Sequence, residues 1–214
     1  MAVRRSVPAG TVEEPRPEKI AELAPGIFYV DIDRITDDDF RAAFNSLAAA
    51  RGIVFDLRGH PNGSLLAVKH LASEPLRSPR FHVPLVTRPD HEGMRFGDVS
   101  QTYSNSTPRL TAKAVFLTDG RAVSYAETYM SLVEQHHLAE IVGGPTAGTN
   151  GDINPFVLPG GYDVLWTGLR VLKQDGSRHH GVGIQPTVPV SRTLKGVIDG
   201  RDELLEKAIE VVSR

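Results

Sequence analysis

Two short runs, Gly52-Ile53-Val54-Phe55-Asp56-Leu57 and Val115-Phe116-Leu117, are apolar without alternation. A strand with one wet face alternates, so a strand without alternation is covered on both faces. Each run leads into a glycine-bearing turn and then into apolar residues at helical spacing. These are Leu65, Leu66, Val68 and Leu71 after the first, and Ala126, Tyr129, Met130, Val133 and His137 after the second. Strands covered on both faces, alternating with helices, predict an α/β layered domain of repeated βα units. Ligands of such sheets gather at the carboxyl ends of the strands, so the loops after Leu57 and Leu117 are expected to face one site.

The rest of the chain fits around these units. Gly26–Asp31 reads as a first strand, and Thr36 caps a helix whose first turn holds Asp37, Asp38 and Asp39 and whose core face holds Phe40, Ala43, Phe44 and Leu47. The three aspartates lack the alternating spacing and closing glutamate of a calcium loop. A strand is expected over 78–87, at a sheet edge because of Pro84, then a long loop over 90–108. Ile141-Val142 is a short strand, and Gly143–Gly151 is a loop in which backbones approach closely. Phe156–Leu158, Tyr162–Trp166 and Leu169–Leu172 alternate as a hairpin region, Val182–Val190 is extended, and Asp199–Val212 is a closing helix. The proline-containing residues 1–19 read as a linker ahead of one domain over 20–214, as if cut from a longer protein.

Several classes are disfavoured by composition. A formal charge of −2 without a basic block argues against nucleic-acid partners. The absence of cysteine removes disulfides and thiolate chemistry. No apolar run reaches spanning length, and no signal-peptide core follows Met1. His136-His137 and His179-His180 are adjacent pairs whose side chains diverge, so neither forms a metal pair, and neither metal nor cofactor is expected.

Ser124 stands at the mouth of the helix that follows Val115–Leu117. Ser124-Tyr125-Ala126-Glu127 fits a capping box, in which Glu127 reaches back to the cap. A hydroxyl at that position is also exposed beside free N–H groups in the positive end of the helix field, where an oxyanion would be stabilised.

Four segments together resemble the C-terminal-processing peptidases and the tricorn core, a serine peptidase family of crotonase/ClpP-like fold. Asp56-Leu57-Arg58-Gly59…Gly63 is similar to the family's D-x-R-G-N-G-G-G loop. Leu117–Glu127 is similar to its nucleophile segment, Gly144-Pro145-Thr146-Ala147-Gly148 to its G-x-x-T-x-G loop, and Gly181-Val182-Gly183-Ile184-Gln185-Pro186-Thr187 to G-x-G-x-x-P-D. Their order and intervals also fit. The resemblance implies Ser124 as nucleophile and an oxyanion hole from the Tyr125 N–H plus an N–H of the Gly59–Gly63 loop. It implies Glu127 as an acid one turn on, with Thr149 and Asn150 bordering a peptide or protein substrate. It also implies a secreted or periplasmic setting.

The departures bear on activity. Where the processing peptidases carry a lysine base, this chain has Thr149, and no lysine occurs between Ser124 and Arg170. Tricorn-like members take a histidine from an earlier segment and a glutamate before G-x-G; here no histidine precedes His60, and His180 holds the glutamate's position. Pro61 cannot donate a hydrogen bond in the altered oxyanion loop. His60 borders the expected cleft, or is simply an exposed loop residue. It and His180 are the candidate bases, His180 more as a supporting residue. The expectation is a serine peptidase acting through an acyl-enzyme on Ser124, weak or inactive in this chain. The rivals are a non-catalytic module binding a peptide or apolar ligand on the same fold, and a crotonase-type acyl-transfer or hydratase enzyme.

Overall fold

The computed structural model describes residues 15–214; most of the segment read as a linker, residues 1–14, lies outside the described residues. Of its remainder, Arg16 docks on the domain, 2.9 Å from Asp33 and 3.2 Å from Asp31. The chain then forms β1 (Ile20–Ala24), β2 (Ile27–Asp31), α1 (Asp37–Ala48), β3 (Gly52–Asp56) and α2 (Leu66–Leu71). Next come β4 (Leu76–Arg77), β5 (Arg80–Leu85), β6 (Arg95–Asp98), β7 (Thr102–Tyr103), β8 (Lys113–Thr118) and α3 (Tyr125–Gln135). β9 (Glu140–Gly143), β10 (Ile153–Leu158), β11 (Tyr162–Thr167), β12 (Arg170–Leu172), β13 (Val188–Pro189), α4 (Leu194–Ile198) and α5 (Glu203–Ser213) complete it.

One six-stranded sheet, in the order β1-β2-β3-β8-β9-β13, carries the domain. β1 is antiparallel to β2; the other neighbours are parallel. The lack of alternation in β3 and β8 is explained by cover on both faces. Ile53, Phe55 and Phe116 share one core with residues of α1, α2 and α3, including Phe40, Val68, Tyr129 and Met130. Val54, Val115 and Leu117 meet Leu204, Leu205, Ala208 and Val212 of α5 on the other face. The fully buried Phe55 and Phe116 stack with centroids 4.9 Å apart. Each such side chain contributes about 1.5–3 kcal/mol on burial. This is a mixed α/β layered domain, as the two βα units predict.

Smaller elements depart from the expected pattern. β1 was not legible, because four of its five residues are half-buried and the fifth, Glu22, interrupts them. β5 is the middle strand of a three-stranded sheet, β12-β5-β6, rather than an edge. Pro84 is tolerated because β12 pairs only with residues 80–82, leaving one neighbour at the proline. The expected loop over 90–108 contains β6, which pairs back on β5, and β7, which pairs with β4. The closing helix begins at Glu203, capped by Asp202, after the separate short α4. His136 and His137 lie just past α3: His136 is its C-cap, and His137 has φ +49°.

A buried ionic cluster joins the carboxyl ends of β2 and β3 to α5. Arg58, fully buried, donates to Asp56 at 2.9 and 2.6 Å and to Asp202 at 2.8 and 2.7 Å. Tyr29 Oη donates to Asp56 at 2.8 Å. Burial alone would push the Asp56 carboxyl up; the hydrogen bonds and charge of Arg58 outweigh it and hold it low.

Candidate active site

At the end of β8 the chain turns through Asp119–Val123, held by the Arg121 N–H on Asp119 Oδ1 at 2.9 Å, and delivers Ser124 with φ +53° and ψ −114°. These angles are those of the first central residue of a type II′ turn, which favours glycine. A non-glycine residue held there costs about 1–3 kcal/mol, and such residues cluster at functional sites. Ser124 accepts the first helical bonds through its carbonyl, from Glu127 N at 2.9 Å and Thr128 N at 3.2 Å. Its hydroxyl makes no capping bond. The capping-box reading is therefore corrected: Oγ accepts from no helix amide, and Glu127 bonds elsewhere.

Glu127, fully buried, accepts from Thr146 Oγ1 at 2.7 Å, Gly148 N at 2.6 Å and Thr149 N at 2.7 Å. The buried His179 Nε2 lies 3.2 Å from Glu127 Oε1, off the line of a hydrogen bond. Burial pushes the Glu127 carboxyl up, but His179, Thr146 and Thr149 together hold it below its ordinary value. Thr146 Oγ1 also accepts from Ile184 N at 2.8 Å. Gly183, at φ +68°, leaves no room for a side chain: a Cβ would stand 2.5 Å from Thr146 O. Two motif segments thus meet at one carboxylate, and a third joins them through Thr146.

The loops after β8 and β9 converge, with Ala147 N on Ala122 O at 3.1 Å. Between them and the β10–β11 hairpin opens a cavity of about 470 Å³, lined by Val123, Ser124, Gly148, Thr149, Gly151, Ile153, Leu165, Trp166, Thr167 and His180. Its walls are largely apolar, and Ile153, Leu165 and Trp166 remain more than half exposed at 58, 63 and 52%. A larger groove of about 600 Å³ lies at the opposite end, where β8 and β9 begin, lined in part by Lys113, Glu134 and His137. Of the motif residues it contains only Gln185, Pro186 and Thr187, and it does not include Ser124.

The two candidate imidazoles separate. His180 lines the cavity with Ser124, and its Nε2 donates to the Asn150 carbonyl at 2.7 Å. His60 does not line it. The His60 ring is exposed, 6.1 Å from the Tyr125 ring, with Nδ1 3.2 Å from Pro61 O. No described side chain hydrogen-bonds Ser124 Oγ. Lys173, the first lysine after Ser124, is paired with Glu134 at 2.6 Å, near the end of α3 remote from Ser124.

Of the expected oxyanion donors, the Tyr125 N–H opens α3 and has no acceptor among the described residues. In the Gly59–Gly63 loop, Asn62 N is committed to Ile32 O at 3.1 Å. Gly59 and Gly63 press this loop against carboxylates, a Cβ at Gly59 falling 2.4 Å from Asp33 Oδ2 and one at Gly63 2.8 Å from Asp37 Oδ1. His179, Thr128 and the apolar hairpin wall were missed by sequence reasoning. Their only signals were a histidine beside His180 and a run of large residues that an ordinary hairpin also carries.

The fold and the site define a layered α/β domain with a strained serine at the mouth of a helix, beside a glycine-rich loop. The profile of peptidase family S41 matches residues 26–190; the chain belongs to that family. No curated protein sequence matches it. Among solved structures it resembles a peptidase-like protein of Parabacteroides merdae ATCC 43184, with a TM-score of 0.74 and 21% identity over 91% of this chain and 64% of that one. It is also similar to mature CPAF (TM-score 0.68, 14% identity, 87% and 50% covered) and to the tricorn protease (0.58, 16%, 88% and 18%). The chain therefore spans less than two thirds of each of these proteins.

Proposed function

We propose that this domain is the serine-peptidase domain of its protein, with Ser124 as nucleophile. The observation that carries the reading is Ser124 itself: a positive-φ serine whose hydroxyl has no capping duty, at a helix N-terminus and on the wall of an apolar cavity. A peptide would lie along the β10–β11 hairpin and place an apolar side chain against Val123, Ile153, Leu165 and Trp166. Attack of Oγ on the carbonyl carbon forms a tetrahedral oxyanion beside the free Tyr125 N–H, with the Gly59–Gly63 loop supplying the second donor. Its collapse expels the amine and leaves an acyl-enzyme, which water hydrolyses to free Ser124. His180 is the base best situated to take the serine proton, directly or through one water. Residues 20–214 form this domain in the reading.

The test is reaction of the chain with a fluorophosphonate, located by mass spectrometry, with hydrolysis of apolar peptides measured in parallel. Adduct on Ser124, lost in Ser124→Ala, supports the reading; an unlabelled Ser124 overturns it. One observation favours a second reading, a peptide-binding module without catalysis: no described base hydrogen-bonds Ser124 Oγ. That reading predicts saturable apolar-peptide binding, unchanged by Ser124→Ala, without turnover.

A further inference from the structure

Asn150 is buried in the floor of the loop that follows β9, and its two polar ends work in opposite directions. Its side-chain Nδ2 donates to Thr128 Oγ1 at 3.0 Å. Its backbone carbonyl accepts from His180 Nε2 at 2.7 Å. Thr128 is itself buried, one helical turn beyond Ser124 on α3. The preceding residue, Thr149, is tied to the same turn through its N–H on Glu127 at 2.7 Å. The loop is thus fastened twice to the helix that carries the candidate nucleophile, and the carbonyl facing His180 is fixed relative to Ser124.

From this juxtaposition, buried Thr128 and Asn150 behind the His180 that lines the Ser124 cavity, we infer that Thr128 and Asn150 are positioning residues that set the tautomer and orientation of His180. A carbonyl oxygen has no proton to give, so the imidazole nitrogen facing it carries the hydrogen. His180 is therefore the Nε2–H tautomer, and Nδ1 keeps the lone pair. In a serine–histidine–aspartate triad a carboxylate does this orienting work; here a neutral carbonyl, anchored by Thr128, takes its place. Among the described residues no carboxylate pairs with the His180 ring; Glu127 faces His179, and Arg178 Nε donates to the His180 carbonyl at 2.6 Å. The catalytic consequence rests on the reading of Ser124 as nucleophile; the tautomer does not.

Long-range proton–nitrogen NMR of the full chain, labelled with ¹⁵N-histidine, measures the tautomer directly. His180 is expected to be protonated on Nε2. Thr128→Val keeps the shape of the side chain and removes the acceptor for Asn150. It should reduce the Nε2–H to Nδ1–H ratio about three- to tenfold, the range of one hydrogen bond, while Thr128→Ser restores it. The pH profile of fluorophosphonate labelling should shift in Thr128→Val and return in Thr128→Ser. If the tautomer responds but Ser124 never labels, the positioning stands and the peptidase reading falls. A wild-type His180 protonated on Nδ1, a measurement that requires no variant to fold, overturns the inference. So does a folded Thr128→Val chain with unchanged tautomer ratio.

Discussion

Replacing Glu127 by glutamine tests the carboxylate that ties the nucleophile segment to the glycine-rich loop. The carboxylate accepts from Thr146 Oγ1, Gly148 N and Thr149 N at 2.6–2.7 Å, and it is fully buried. A glutamine Oε1 can keep the bonds from Thr146 and Gly148. Its amide then stands where Oε2 was, donor against the Thr149 N–H. One charge-assisted bond, worth about 1.5–3 kcal/mol, is lost and a buried donor is stranded, so the expected cost is about 2–4 kcal/mol. The pH dependence has a definite sign. The folded-state pKa lies below the ordinary 4.5, so the stabilisation is complete above that value and disappears as pH falls through the folded-state pKa. A protonated glutamic acid resembles the glutamine. Urea unfolding of both chains between pH 7 and pH 3 should show the full gap at neutral pH and a narrowing gap in acid. A gap under about 0.5 kcal/mol at pH 7, or one of constant size down to pH 3, refutes the account of Glu127 as an ionised hub.

Three further outcomes follow from other parts of the fold. Ser124→Gly should raise stability by about 1 kcal/mol or more by relieving the positive φ, whereas Ser124→Ala should not; equal unfolding midpoints for the two variants would count against strain at this residue. Arg58→Met strands the buried Asp56 and unties Asp202, so a loss of about 3–5 kcal/mol is expected in denaturant unfolding, and a loss under about 1 kcal/mol contradicts the clamp. Burial pushes the Asp33 carboxyl up to about 6 against the pull of Arg16. A raised pKa contributes stability that is present at low pH and lost as pH rises through 6, so Asp33→Asn should gain on the parent between pH 4 and 7. A carboxyl NMR titration of Asp33 with its midpoint below 4.5 would sink that assignment.

The parts legible in the chain were those governed by local periodicity or local chemistry. β3 and β8 were readable because cover on both faces removes alternation. α1 was readable because its capping box closes within four residues, Thr36 and Asp39 satisfying one another. The same local logic failed at Ser124-Tyr125-Ala126-Glu127, which has a capping-box pattern without a capping box. There the turn holds Ser124 at positive φ, and a loop some twenty residues away captures Glu127. β1, β6 and β7 escaped notice because short strands are stabilised by pairing across the sheet rather than by their own pattern.

The sequence by itself determined the two βα units, the order of the four motifs and Ser124 as the residue to follow, since each depends on residue type and spacing. Tertiary structure alone decided which imidazole shares the serine's cavity. His60 and His180 lie on opposite sides of Ser124 in the chain, and both follow from motif positions. Only the fold turns His60 toward Tyr125 and seats His180 against the Asn150 carbonyl. It also showed that Asp56-Leu57-Arg58 clamps α5, because Asp202 lies 144 residues beyond Arg58 and no local pattern records that partner. Hydrogen bonds reach only about 3 Å, so the partners they select become visible only when the packed layers have brought remote segments together.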